Sequence, residues 1–258
     1  MAAAPDDAPR TRLSRWTLAR VFGRSLFILA GFNPRTMQAL GFSYALYPAL
    51  ARLYPDRAER RAAIERHLGL FNTHPYFAAA ILGATTRVEE RIAAGLAPAR
   101  SATMFQDALA APLAAIGDAF FWSALRPACA LLAALTAPSL GLWSLLVFLG
   151  LYNAVHLPTR VWLFVAGYRR PAGLVQAIAR VRFPAGTQLV KWAAAILAGA
   201  VAAEVALVAG RLAGPLWFAG AGAATLLTLL VSDRSGPYLV AYAALALPLA
   251  VALLLSLT

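Results

Sequence analysis

The 258-residue chain is 61% hydrophobic and 13% charged, whereas ordinary soluble domains sit near half apolar and a quarter charged. A soluble core of this size would leave a large apolar surface in water, so the composition excludes an ordinary soluble domain and points to lipid. A net charge of +12 also suits a nucleic-acid binder, but its distribution argues against one. The basic residues gather in two acid-free windows, Arg10 to Arg24 and Arg169 to Lys191, separated and followed by long apolar runs, which is how cytoplasmic flanks of membrane segments look.

Taken in chain order, residues 1–10 carry Pro5, Pro9 and the pair Asp6 and Asp7 and are expected to be a disordered tail. They lack the basic-then-apolar order of a secretory leader, which places the N-terminus in the cytoplasm. Over residues 11–31, Leu13, Trp16, Val21, Phe22 and Leu26 interleave with arginines. This is a basic amphipathic helix suited to a lipid interface, although a helix packed on its own protein would show the same pattern. A second helix is expected from Asp56 to Leu70, with Ile64, Leu68 and Phe71 on one side and a wet charged face that includes His67. Pro55 precedes this helix and Pro75 ends it. Phe77 to Leu82 is too short to span, and Pro48, Pro75, Pro112 and Pro127 lie in or beside apolar stretches. Such interruptions are tolerated at membrane depth only where protein or a wet cavity satisfies the backbone.

The chain changes character near Asp118. Apolar stretches follow at 119–137, 139–157, 192–209, 212–231 and 236–257, each long enough to cross or nearly cross a hydrocarbon layer of about 30 Å. Cys129, the single cysteine, lies in the first and reads as core filler. With both basic windows cytoplasmic, five crossings would leave Thr258 external. The expected fold is an all-α membrane protein, a polytopic helical bundle with broken or re-entrant helices, in which residues 32–258 form one membrane unit.

Three blocks carry a family pattern in order and spacing. The first is Met37 to Phe42, running on to Pro48 and to Arg52 through Pro55. The second is Arg66 to Pro75, followed by Ile81 to Gly83 and by Glu89 and Glu90. The third is Ala111 to Asp118 with Phe121, Trp122, Arg126 and Pro127. Through them the chain resembles the IID subunits of the mannose-fructose-sorbose type phosphotransferase system, in detail over about residues 20–130 and more loosely to the C-terminus. The resemblance implies an inner-membrane transporter subunit that joins a IIC membrane subunit, with soluble IIA and IIB, to pass a hexose that IIB phosphorylates. It implies no enzyme activity, cofactor or phosphoryl group on the chain itself. The family has Gln or His at the position of His74, and Gln cannot carry a phosphoryl group. The chain departs from the family at Ala111 to Ala115, where relatives usually have glycines, and lacks their polar insertion near 205–215. A regulatory or assembly subunit that moves no sugar is the competing reading.

A sugar needs amides, hydroxyls and carboxylates held in a dry cavity. Gln38, Asn72, Thr73, His74 and Asp118 are the candidate substrate-binding residues, with the Asn72 to His74 turn foremost; Asn72 and Thr73 could equally cap the next helix. Glu89 and Glu90 read as structural or pathway groups: a wet helix end, direct sugar contact, or pairing with Arg87 and Arg91, the last favoured. Gly117 and Asp118 resemble a turn and N-cap, and Arg126 with Pro127 a second break. Arg126 should face the protein or the partner subunit, since an arginine at membrane depth costs roughly 2.5–3.5 kcal/mol. His67 and His156 read as structural. No catalytic constellation or metal-ligand spacing appears. Small-residue faces at Ala193 to Gly199, Gly199 to Ala203 and Gly220 to Ala224 are expected to allow close helix approach.

Overall fold

Local chemistry sets the first elements of the computed structural model, which describes residues 12–213. The Ser14 hydroxyl accepts the Thr17 N–H and opens helix α1 (Arg15–Ser25), which buries Thr17, Val21 and Ser25 and leaves Trp16 outward. Turns follow, so α1 is shorter than the helix expected over 11–31. Helix α2 (Ala39–Leu53) ends before Pro55, and the Asp56 carboxylate caps α3 (Arg57–Glu65) by accepting from the N–H groups of Ala58 and Glu59. Those two bonds hold the Asp56 carboxyl below its ordinary range, the bond from Glu59 contributing most. Helix α3 stops at Glu65, not Leu70. The chain then turns inward, so His67 is buried rather than on a wet face.

Helix α4 (Ala78–Ala93) is the centre of the packing, with every residue from Ala78 to Thr86 buried. Alanines and Gly83 make this possible, because a thin helix lets neighbouring backbones approach. The closest neighbour is α7 (Ser144–Arg169). A Cβ on Gly83 would lie 2.2 Å from the Phe164 carbonyl oxygen, and one on Gly167 would lie 2.1 Å from that of Ala80. The crossing is reciprocal, glycine against backbone on both sides. The close approaches therefore occur at Gly41, Gly83, Gly117 and Gly167, whereas Gly199, in one of the expected small-residue faces, meets nothing within 4 Å.

Helix α5 (Arg100–Gly117) passes without a turn into a π-helical stretch (Asp118–Leu125) and on into α6 (Arg126–Leu140). The expected breaks at Gly117 and Arg126 are thus absent. The register widens instead, so that the Arg126 N–H donates to the Phe121 carbonyl. Pro127 stands directly after this widened turn, where the regular i to i−4 ladder that a proline interrupts is already broken. Gly141, with φ 55°, lets the chain turn back into α7. Pro171 follows α7, then come α8 (Leu174–Arg180) and α9 (Phe183–Ala213). No named strand occurs among the described residues; only isolated bridges join Asn33 to Met37 and Met37 to Phe71.

Two helical runs, Arg100–Arg169 and Pro171–Val205, are long and apolar enough to cross a membrane. At 1.5 Å per residue, the 26 residues of α7 cover about 39 Å. Leu145, Leu149, Leu189, Trp192 and Ile196 remain outward, as faces meant for lipid or another subunit would. The apolar stretches expected at 119–137 and 139–157 belong to the first run, and 192–209 lies in α9. The tail 1–10, Gly220 to Ala224, the stretches 212–231 and 236–257 (all but the start of the former) and the side of Thr258 lie outside the described residues.

Candidate functional site

The second motif block, Arg66 to Pro75, follows α3 as irregular backbone, and its neighbours hold it. Met37 takes a left-handed conformation, φ 55°, which an unbranched side chain adopts only when the surroundings enforce it. Its N–H donates to the Asn33 carbonyl at 2.8 Å, and the Gln38 N–H donates to that of Phe71 at 2.8 Å. The Gln38 side chain thereby meets the backbone of Thr73: its Nε2 donates to the Thr73 carbonyl at 2.6 Å, and its Oε1 accepts the Thr73 N–H at 3.3 Å. The Thr73 hydroxyl donates to the Ala110 carbonyl on α5 at 2.9 Å. Gln38 and Thr73 are buried and spend their polar groups fixing the turn. Asn72, in contrast, is exposed.

His74 packs where α5 becomes π-helical. Only a glycine fits at position 117, since a Cβ there would lie 2.4 Å from the His74 Cβ. The imidazole stacks on Phe121, centroids 5.4 Å apart at 17°, and lies 5.0 Å from the outward-reaching Trp122. The turn thus sets His74 against Gly117, Phe121 and Trp122, with Asn72 two residues before it in the turn and Asp118 opening the π stretch. Asp118 is half-buried and Arg126, at the far end of the π stretch, is exposed. A π stretch re-aims side chains relative to an α-helix and recurs at functional sites.

Behind His74 lies a cluster that sequence reading missed. Tyr76 stacks on His156 with centroids 3.7 Å apart, accepts from the Tyr152 hydroxyl at 3.1 Å, and has the Arg160 guanidinium 5.7 Å from its ring. Arg160 also donates to the Ser25 carbonyl, tying α7 to α1. The Tyr76 N–H donates to His74 Nδ1 at 3.3 Å, which puts the ring proton on Nε2. His74 Nε2, His156 Nε2 and Arg160 Nε are buried without a hydrogen-bond partner among the described residues. Such groups are costly unless a ligand, water or another chain meets them. His156 and Arg160 sit four apart on α7, a spacing that puts them on one helix face, and this was the available signal.

Burial first, then the neighbouring His156 and Arg160, holds the His74 imidazole down at a pKa of about 4 from an ordinary 6.5. The unfolded chain therefore binds a proton that the folded chain refuses, and stability falls as pH drops from about 6.5 toward 4. In detergent, the melting temperature should decline over that window. In His74→Gln, which cannot titrate, the decline should shrink; an unchanged pH profile in this variant would exclude His74 as its source.

Two buried carboxylates lie toward the C-terminal end of α4. Glu89 accepts from the Tyr54 hydroxyl at 2.7 Å and from His67 Nε2 at 2.9 Å, with Arg66 at 3.4 Å. Gln106 Nε2 lies 2.9 Å from His67 Nδ1, carrying the chain of hydrogen bonds to α5. Glu90 pairs with Arg87 at 2.7 Å and accepts from the Tyr168 hydroxyl at 2.7 Å and the Leu13 N–H at 2.8 Å. Arg91 is exposed and joins neither. The pairing partners come mostly from other elements, so only Arg87 was visible along the chain.

Residues 12–213 match the family described as the PTS system mannose/fructose/sorbose family IID component. The chain is 40% identical over 167 residues to the mannose-specific EIID component of Escherichia coli K12, covering 64% of this chain and 59% of that protein. It is 35% identical over 169 residues to the fructose permease IID component of Bacillus subtilis strain 168, covering 65% and 62%. Its matched region thus spans about three-fifths of the length of these relatives. Among solved structures it is similar to a chain of the mannose transporter ManYZ in complex with microcin E492, with a TM-score of 0.61 at 35% identity, covering 74% of this chain and 71% of that one.

Proposed function

The chain belongs to the mannose/fructose/sorbose family of phosphotransferase-system IID components, membrane proteins of all-helical fold, and on that premise we propose that it forms a hexose translocation pathway together with a IIC subunit. The observation that carries this reading is the turn at Asn72 to His74, fixed by Gln38 against a π-helical stretch, with exposed Asn72 and half-buried Asp118 left to meet a ligand. An amide and a carboxylate are the groups that pair with sugar hydroxyls. Gln38, Thr73 and His74 act as positioning residues behind them. The exposed Arg126 faces the IIC partner, where its charge finds the protein contact that membrane depth demands.

The subunit spans the bacterial inner membrane several times, N-terminus inside and C-terminus outside, and soluble IIA and IIB supply phosphate to the sugar from the cytoplasm. The chain passes on no phosphoryl group itself. His67, His74 and His156 are its three histidines, and all are buried, at 2%, 1% and 9% exposure, out of reach of a soluble phosphoryl donor.

In cells lacking their own mannose-type IID, the chain expressed with IIC, IIA and IIB should restore uptake of labelled mannose. Asn72→Ala and Asp118→Ala should each lower uptake by about tenfold or more, the cost of one buried sugar hydrogen bond, with the IIC complex still recovered. A stable complex without uptake in the unsubstituted chain would overturn the proposal in favour of a regulatory subunit.

A further inference from the structure

The two basic windows of the sequence lie well over a hundred residues apart, yet folding brings Arg12 and Arg15 of the first and Arg169 of the second to one groove. Helix α1 packs on the C-terminal half of α7 through Phe22 and Phe164, ring centroids 5.6 Å apart. Beside this contact runs a groove of about 580 Å³, within the range of about 300–1,000 Å³ typical of small-ligand sites. The exposed Arg12, just before α1, Arg15, the first residue of α1, and Arg169, the last of α7, form its rim, and its walls include Phe22, Val161 and Val165. None of the three arginines is in a salt bridge among the described residues. The nearby carboxylate of Glu90 is fully buried and already paired with Arg87, so it leaves the rim's charge uncompensated.

We propose that this groove is a binding site for one anionic phospholipid, its phosphate held by Arg12, Arg15 and Arg169 and the upper part of an acyl chain laid along Val161 and Val165. Three features favour a lipid over a free anion or a peptide. Arg169 is the last residue of a helix long enough to span the bilayer, which sets the rim at headgroup depth. Val161 and Val165 belong to that helix's outward face, so the groove opens sideways to the hydrocarbon rather than to water. The charge is entirely positive at the rim and absent along the walls, the division of a phospholipid itself. A bound lipid would fix α1 to α7 at the inner leaflet, making α1 a strap whose grip depends on membrane composition. The proposal rests on the chain's residence in a bilayer and not on its carrying sugar.

The test is native mass spectrometry of the purified full chain, with IIC where the two co-purify, after exchange into mixed micelles of phosphatidylglycerol and phosphatidylcholine. Phosphatidylglycerol should be retained at least about tenfold over phosphatidylcholine, since each basic contact favours the anionic surface. The triple substitution R12Q/R15Q/R169Q should abolish that preference and R12K/R15K/R169K should keep most of it. Val165→Trp should lower retention with all three charges intact. Equal retention of the two lipids, or a preference that survives R12Q/R15Q/R169Q, would overturn the proposal. So would inorganic phosphate competing as well as the lipid, which marks a plain anion site, or unaltered phosphatidylglycerol retention in Val165→Trp. Mannose uptake is a separate readout: its loss with lipid preference intact would count against the transport reading alone.

Discussion

Gly83→Leu is expected to abolish recovery of folded protein, and Gly167→Leu to do the same. At each position the first added carbon already falls 2.1–2.2 Å from a carbonyl oxygen of the facing helix, far inside van der Waals contact. The obstacle is backbone, so no rotamer change relieves it, and α4 and α7 would have to separate by more than an ångström along their whole crossing. Ordinary overpacking costs about 1–3 kcal/mol; here the loss extends to the neighbouring contacts of Ala80, Ala84, Leu163 and Phe164, all buried. It should exceed that range and approach the roughly 5–15 kcal/mol that holds a whole domain. Gly23→Ala is the control. It lies in α1 with nothing within 4 Å of its added carbon, so its stability should be unchanged or up to about 1 kcal/mol higher. The measurement is monodisperse yield and melting temperature in mild detergent. A Gly83→Leu protein that melts like the parent would show that this crossing does not hold the fold.

What the sequence made legible follows from which forces act along the chain and which act across it. Composition and apolar run length report the solvent directly, so the helical membrane class could be read without coordinates. Caps are equally local: Asp56 starts its helix where the sequence reading put it. The π stretch was not legible, because Gly117 and Pro127 ordinarily mark ends; Gly117 is needed for packing on His74, and Pro127 follows the widened register. On α9 the small-residue face at Gly199 meets nothing within 4 Å inside this chain. Ala and Gly permit close approach on any helix, and the facing helix decides where it happens. Within the candidate site, Gln38 and Thr73 stood out by residue type, but their mutual bonds span 35 residues and no spacing rule reveals them. The partners of Glu89 and the cluster around Tyr76 were hidden in the same way.

Removing the Glu89 carboxylate should be the most damaging change that alters no packing backbone. In Glu89→Ala, the Tyr54 hydroxyl, His67 Nε2 and the Arg66 guanidinium all lose their common acceptor. Tyr54 and His67 are buried, and Arg66 is largely so. Burial, reinforced by the bond to Glu89, already raises the Tyr54 phenol above its ordinary pKa, so that hydroxyl remains a neutral donor with no acceptor in the variant. Breaking a buried pair from one side costs about 3–5 kcal/mol, mostly because the groups left behind stay desolvated. Glu89→Gln keeps an acceptor oxygen for Tyr54 and loses the charge that Arg66 needs, so it should cost less. The network can be separated from simple cavity formation by a cycle with Tyr54→Phe, which removes one orphaned donor. The double variant should then be more stable than the sum of the single losses implies, with a coupling of about 0.5–3 kcal/mol. Strict additivity would mean that the Tyr54 bond contributes nothing to the cost. A variant of full stability that nonetheless fails to take up mannose would take Glu89 out of the structural network and put its carboxylate in the sugar path.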